Sequence, residues 1–409
     1  MAIRVLYISY DGMTDPLGQS QVIPYLAGLS KRNYSFTLIS CEKKENYTAN
    51  KEKIAQLLKA NNIDWQPLQY TKKPPVFSTL FDVFKIKQLA IRLHRQEPFS
   101  VVHCRSYIAA LVGLQLQKKI GIKFIFDMRG FWANERIDGN IWKLENPIYK
   151  MVFNFFKKKE IEYLEHADYT ISLTHNAKEE IHSWKTVKNN PVNIQVIPCC
   201  VDLNLFNKKN LQNDTIELLK NSLSIASKDY ILLYLGSIGT WYMLEEMMEF
   251  FSVLKKQKPN AKFLFVTKEE HERIYATAEK YGVKEAIIIR PGSREEIPYL
   301  ISLCQASIFF ILPSYSKKAS SPTKQGEIMA MGIPIVCNTG VGDTDKIVLD
   351  YSSGVLVNSF TTEDYAIAIE KLNTTAFEEH QIIQGADAYF SLENGVEKYA
   401  EVYRAVIQA

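Results

Sequence analysis

The sequence predicts an α/β protein made of two Rossmann-like domains, each a parallel sheet wrapped by helices. Short β-branched and aromatic runs alternate with apolar stripes at helical spacing along the chain. The alternation is interrupted at 207–227, which is polar, charged and poorly patterned and reads as a linker, and then begins again. The length, 409 residues, is too great for one core and suits two or three domains. The expected division is a first domain over 1–206 and a second over 207–387.

Taken in order, 3–10 is a strand, 11–19 a Gly/Asp/Pro loop, and the helix after it carries Val22, Leu26 and Leu29 as an apolar stripe. Strands follow at 34–41, 63–68, 101–104, 124–128, 169–174 and 195–198, with helices near 80–95 and 109–118 and a long one ending near 165. The second series opens with a strand at 230–235 and a glycine-containing loop, 236–242. A helix bearing Leu244, Met247, Phe251 and Leu254 comes next, then strands at 263–266, 286–289, 307–312, 333–337 and 355–357. Neither glycine loop spells G-x-G-x-x-G, and no Walker lysine loop is present, so dinucleotide oxidoreductases and nucleotide hydrolases lack their expected signatures.

The most informative stretch is Ser320-Ser-Pro-Thr-Lys-Gln-Gly-Glu327, set between two strands as the loop and helix of a βαβ unit. Ser321 is the expected N-cap, Pro322 the first helical residue and Gly332 the stop. Thr323, Lys324 and Glu327 then share one face, and Gly326 lets another group approach the backbone. A lysine in a helix's first turn opposes the dipole unless an anion is shared between it and the free N–H groups. That anion is read as a nucleotide diphosphate, with Glu327 able to hold a ribose through its vicinal hydroxyls. An ordinary capped surface helix with a Lys/Glu pair is the plain alternative.

Composition narrows the class. Residues 1–200 hold 28 Lys+Arg against 18 Asp+Glu and the remainder 21 against 27, a balance of +10 followed by −6. No run approaches the roughly 18 apolar residues of a membrane span, and the chain opens on a strand instead of a signal-peptide core. The six cysteines form no C-x-x-C pair, so neither a disulfide framework nor a zinc site is suggested and a reducing cytoplasm is expected. The excess of positive charge is too modest, and motifs too absent, for a nucleic-acid partner.

On Asp15-Pro-Leu-Gly-Gln-Ser-Gln, Val196-Ile-Pro-Cys-Cys-Val-Asp202 with Phe206, Leu312-Pro-Ser314, Gly326-Glu-Ile-Met-Ala-Met-Gly-Ile-Pro334 and Ser353-Gly-Val-Leu-Val357, the chain resembles the GT-B glycosyltransferases of family 4. The resemblance spans essentially the whole chain. It implies two Rossmann-like domains facing each other across a cleft and a last helix, 388–409, crossing back to the N-terminal domain with Val396, Tyr399, Val402 and Tyr403 on its apolar face. It implies a retaining transfer from a nucleotide sugar, uridine diphosphate being the family's commonest carrier. The acceptor would be a glycan or lipid-linked glycan in surface polysaccharide or glycoconjugate assembly.

Carried over by position, Glu327 matches the second glutamate of the family's E-x7-E pair, which binds the donor ribose, and Gly18 matches the loop glycine near the diphosphate. Three departures stand out. Ala319 occupies the place of the first glutamate. The family's G-R-x4-K-G loop reads Gly236-Ser-Ile-Gly-Thr-Trp-Tyr, so its Arg and Lys are missing. Ser237, Thr240 and the loop N–H groups can still hydrogen-bond a phosphate, and Lys324 is placed to supply the lost charge. Lys268 and Arg290, at the ends of the next two strands, are further candidate cations, or simply solvated ones.

The third departure replaces the family's acceptor-side histidine with Phe126-Asp-Met-Arg-Gly130. Asp127, ending a strand, can take a proton from an acceptor hydroxyl or orient it; equally it can form a structural pair with Arg129 or Arg105. His103 ends another strand and reads more plainly as a satisfied structural histidine. Asp343-Thr-Asp345 has a metal-binding form, but its place at a helix start reads as capping, and no obligatory metal is expected. The stretches 70–77 and 153–159 mix aromatic residues with lysines, as peripheral membrane proteins do, or as the solvated faces of core helices do. A contact with anionic lipid would place the cytoplasmic protein at the inner face of the membrane. Ala319 and Ser237 also motivate an alternative, a non-catalytic GT-B-like subunit that binds nucleotide or glycan and supports an active partner.

Overall fold

The structure, a computed structural model, describes residues 3–408. The chain divides into two compact units: one runs to Pro198 and resumes at Leu392, the other is Cys199–Ser391. The division falls at 198 and 392 instead of 206 and 388 because 199–206 is stitched into the second unit. Val201 N–H donates to the Phe390 carbonyl at 2.7 Å, and Phe206 is buried in that unit's core.

In the first unit the strands are β1 (Ile3–Ser9), β2 (Tyr34–Glu42), β3 (Ile63–Gln69), β4 (Val101–Arg105), β5 (Lys123–Asp127), β6 (Tyr169–Ser172) and β7 (Ile194–Val196). They form one parallel sheet in the order β3-β2-β1-β4-β5-β6-β7. The chain order reverses beside β1, so the carboxyl ends of β1 and β4 border a topological switch point, where α/β sheets place ligands. His103, Arg105 and Asp127 all sit near those ends, with Tyr7 paired in register to His103 and Arg105 to Asp127. The helix Leu392–Gln408 belongs to this unit. Its Val396 packs so closely on Gly28 that a side chain at 28 would overlap it.

The second unit holds β8 (Tyr230–Leu235), β9 (Ala261–Val266), β10 (Ile287–Arg290), β11 (Ala306–Phe309), β12 (Ile335–Asn338) and β13 (Gly354–Val357), again one parallel sheet, ordered β10-β9-β8-β11-β12-β13. Its switch point lies between β8 and β11. The stretch read as a linker is structured: 207–227 contains the short turn Lys208–Asn210 and the helix Asn213–Ser222. Leu211, Ile216, Leu219, Leu223 and Ile225 rest on the core, but only two of them lie within the helix and the charge around them hides the periodicity.

Candidate active site

The helix after β11 starts at Thr323 and ends at Ala330, and Gly332 adopts φ 63°, the left-handed turn expected of it. Ser321 is not its N-cap: Pro322 holds that position without a side-chain bond, and Ser321 Oγ instead accepts the Cys199 N–H at 3.1 Å. A proline there offers the helix's first N–H groups no side-chain acceptor of its own. Gly326 is required for packing, since a Cβ would lie 2.8 Å from Phe390 Cγ and from Val201 Cγ2.

Lys324 is only 7% exposed, and its Nζ has no hydrogen-bond partner among the described residues. The ammonium lies 3.7 Å from the centre of the Tyr242 ring and 4.3 Å from that of Tyr234. A Cβ on Gly236 would sit 3.3 Å from it, and Gly236 holds φ 111°. The lysine and the 236–242 loop, distant in sequence, therefore meet. Burial lowers the Lys324 pKa to about 7, against the opposing pull of Glu327 and Glu269. Such a group takes its proton back when an anion arrives.

Glu327 is also buried, and Arg294, from the loop after β10, pairs with it while stacking 4.8 Å over Phe206. Burial raises the Glu327 pKa, and Arg294 and Lys324 hold it back. One guanidinium leaves carboxylate lone pairs for other donors. Ser237 hydroxyl donates to Glu269, and Thr240 is exposed. Thr323 is half-buried at the helix start, Lys268 is exposed beyond β9, and Arg290 pairs with Glu296. Arg290 is thus already engaged by a carboxylate, and neither it nor Lys268 joins the Lys324 cluster by any bond described.

Asp343, at the N-cap of Thr344–Asp350, makes no capping bond with its side chain; it accepts the Tyr389 hydroxyl, and Asp345 accepts the Gly340 N–H at 3.1 Å. Among the described residues no group of three or more His, Cys, Asp or Glu could hold a metal ion. Ala319 is buried, on the short turn Tyr315–Ala319.

In the first unit Gly18 lies in the helix Pro16–Gln21, where a Cβ would collide with the backbone of Gly12 and Met13. That loop is itself held by Glu42, which accepts the N–H of Met13 at 2.7 Å and of Thr14 at 3.1 Å. Asp127 is fully buried. His103 Nε2 stands 3.6 Å, Arg129 Nη1 3.8 Å and Arg105 Nη1 3.9 Å from its oxygens, and the Tyr399 hydroxyl donates to it at 3.2 Å. His103 Nδ1 meets the Tyr403 hydroxyl at 2.7 Å. Burial alone would raise the Asp127 pKa, but Arg129, His103 and Arg105 together bring it below the ordinary value; burial keeps His103 below its own. An ionised carboxylate so placed is a weak base and a good organiser of cations. Ser106 (φ 67°) and Arg129 (φ 58°), just past β4 and within the turn after β5, both hold the left-handed conformation, a strain that gathers at functional sites.

Residue-level reading did not anticipate Arg294, Glu269, Tyr234 or Tyr242 at the site, and it gave Tyr399 and Tyr403 only as part of the last helix's apolar face, not as partners of Asp127 and His103. A β-strand tyrosine such as Tyr234 reads as core, and only the fold brings it under a lysine some ninety positions away.

Comparison with known proteins gives the family. Residues 19–205 match the model of "Glycosyltransferase Family 4", and residues 215–388 that of "Glycosyl transferases group 1". The chain belongs to glycosyltransferase family 4. No curated protein matches it by sequence. Solved structures similar to this family member include sucrose-phosphate synthase from Thermosynechococcus elongatus (TM-score 0.74, 15% identity, 99% of each chain covered). Another is a glycosyltransferase from Rickettsia africae (0.73, 16%, 99% of each). A third is HepE of Anabaena in complex with UDP and glucose (0.70, 12%, 98% of this chain and 99% of that one). At such identities the likeness establishes the GT-B fold, two Rossmann-like domains with parallel sheets.

Proposed function

We propose that this family 4 glycosyltransferase moves a sugar from a nucleotide diphosphate donor, held on its second unit, to a glycan or lipid-linked glycan acceptor in surface polysaccharide or glycoconjugate assembly. The observation that carries the donor half is Lys324: a buried ammonium with no hydrogen-bond acceptor among the described residues, beside a glycine loop and at the start of a helix. HepE, of the same fold, is described with UDP and glucose bound, which supports a uridine carrier here.

Cleavage of the sugar–phosphate bond builds negative charge on the departing diphosphate, and a cation with fixed N–H donors stabilises it. Lys324 and the first turn of Thr323–Ala330 supply these in this reading, without a metal. Glu327, oriented by Arg294, accepts from the ribose hydroxyls. Retention follows if the leaving phosphate takes the acceptor's proton on the same face. Asp127, too weak a base for that step, would orient the acceptor through His103, Arg105 and Arg129.

A lipid-linked acceptor is supported by the first unit's surface. On the helix Phe77–Gln96 four large apolar side chains at i, i+3, i+4 and i+7 face solvent: Phe77 (72% exposed), Leu80 (56%), Phe81 (54%) and Phe84 (56%). Ile148, Met151 and Phe155 do the same on Pro147–His166, and both helices pack on Ser106–Ile120. Exposed Lys72, Lys73, Lys150 and Lys158 lie alongside in sequence. An interfacial surface with cations suits anionic lipid. No helix among the described residues is long and apolar enough to cross a membrane.

The test is release of free nucleotide, followed by mass spectrometry over a panel of nucleotide sugars with and without lipid-linked glycan. Turnover that Glu327→Ala and Lys324→Met abolish is the expected result, and the anomeric configuration of the product decides retention. Stabilisation by a nucleotide with no turnover on any donor would overturn the enzyme in favour of a non-catalytic subunit.

A further inference from the structure

Glu269, in the loop after β9, has no part in the reading above, yet it occupies the loop on which that reading depends. Its carboxylate accepts the Ser237 hydroxyl and, at 3.1 Å, the Ile238 N–H. Ser237 Oγ in turn accepts the Gly239 N–H at 3.2 Å, and the Glu269 N–H is fixed by Thr267 Oγ1 at 3.2 Å. The loop after β8 therefore already binds an anion, one that the protein supplies. Carboxylate and phosphate oxygens call for the same donors.

The neighbouring cation is served separately. Lys324 makes no hydrogen bond with Glu269 or with any other described residue; its ammonium rests on the rings of Tyr234 and Tyr242. Tyr234 also ties the two halves of the site together, since its hydroxyl donates to the Ser237 carbonyl. Loop donors and lysine are thus adjacent, but the resident carboxylate satisfies only the donors. A diphosphate has more charge and more acceptor oxygens, enough to take both.

We propose that Glu269 is a resident competitor for the anion position of the donor site: a phosphate-bearing ligand must displace its carboxylate from Ser237 and Ile238 before Lys324 can close on the phosphate. This rests on the donor reading given above. Glu269 then sets how tightly phosphate-bearing ligands bind and has no effect on ligands without phosphate. Residues 236–242 carry no Lys or Arg to hold the phosphate regardless, so the competition is felt in full.

The test measures binding of UDP, GDP, CDP, ADP and dTDP, and of the matching nucleosides, to the full chain and to the E269Q, E269A and K324M variants by titration calorimetry, with melting temperatures as a check on folding. For whichever nucleotide binds the wild type, E269Q and E269A should bind it about tenfold more tightly, the scale of one charge-assisted hydrogen bond. The nucleoside should stay within about twofold, and K324M should weaken the nucleotide by about tenfold or more. Unchanged or weaker nucleotide binding in both folded Glu269 variants, or an equal gain for the nucleoside, overturns the competition and makes Glu269 a builder of the loop; wild-type binding then leaves the donor reading standing. Failure of all five nucleotides to bind wild type and E269Q overturns both.

Discussion

Replacing Lys324 with methionine should stabilise the empty protein while weakening nucleotide binding, and the sizes follow from the site. Burial lowers this lysine from its ordinary 10.5 to about 7, which at about 1.4 kcal/mol per unit puts the cost of keeping it charged in the fold on the order of 5 kcal/mol. Methionine, unbranched and uncharged, avoids that cost but repacks the site imperfectly, which takes back roughly 1–3 kcal/mol, so the net gain is on the order of 2 kcal/mol near neutral pH. For a unit of this size that corresponds to a rise in melting temperature of about 4–8 °C.

The pH dependence has a definite sign. Between about 7 and 10.5 the unfolded chain keeps the proton that the folded one has released, so this group's contribution to stability improves as pH rises through that window. The gap between wild type and K324M should therefore close from pH 7 to 10. Nucleotide affinity of the wild type should fall by about tenfold per pH unit above 7, because only the protonated lysine meets the phosphate. Scanning fluorimetry with and without UDP, from pH 6.5 to 9, reads both effects. A methionine variant that melts below wild type and still binds UDP at wild-type strength would refute the reasoning and make Lys324 a packing residue.

Other perturbations test other parts of the molecule. Asp127→Asn removes the charge that Arg129, His103 and Arg105 surround and should cost about 3–5 kcal/mol in denaturant unfolding. The Asp127 pKa lies below 3.8 in the fold, so its contribution is present above that value and is lost as pH falls further; the gap between wild type and variant should shrink on acidification below about 4. Gly326→Ala should destabilise by roughly 1–3 kcal/mol by pushing on Phe390 and Val201, read as a lower melting temperature. Phe81→Ser with Phe84→Ser should leave the melting temperature within about 2 °C, both being solvent-exposed, yet lower sedimentation with anionic vesicles; undiminished sedimentation would refute the lipid face.

Much of the fold was legible because burial dictates periodicity. The strand run ending at Leu235 is apolar on both faces, as a covered parallel sheet requires, while those ending at Arg105 and Asp127 each keep one wholly apolar face, Val102 with Cys104 and Phe124 with Phe126, and all three became strands of the expected kind. The helix start at Thr323 was misread by one residue at its cap, because serine before proline satisfies the capping pattern while its hydroxyl was claimed by Cys199, which sequence spacing does not reveal. The polar segment over 207–227 was misread for a related reason: a helix that rests on the core through Ile216 and Leu219 carries almost no signal of its own.

At the candidate site, the residue types were visible and their pairings were not. Lys324 and Glu327 stand out by their place on a short glycine-bearing helix, since local geometry fixes which side chains share a turn. What each one touches depends on elements far away in the chain: Tyr234 and Tyr242 beneath the lysine, Arg294 on the glutamate, Tyr399 and Tyr403 behind Asp127 and His103. The sequence by itself determined the alternation of strands and helices, and with it two parallel sheets, because hydrophobic spacing is a local property. Only the tertiary structure decided that the lysine has no acceptor among the described residues while a nearby glutamate holds the loop, because burial and charge pairing are settled by which distant segments pack together.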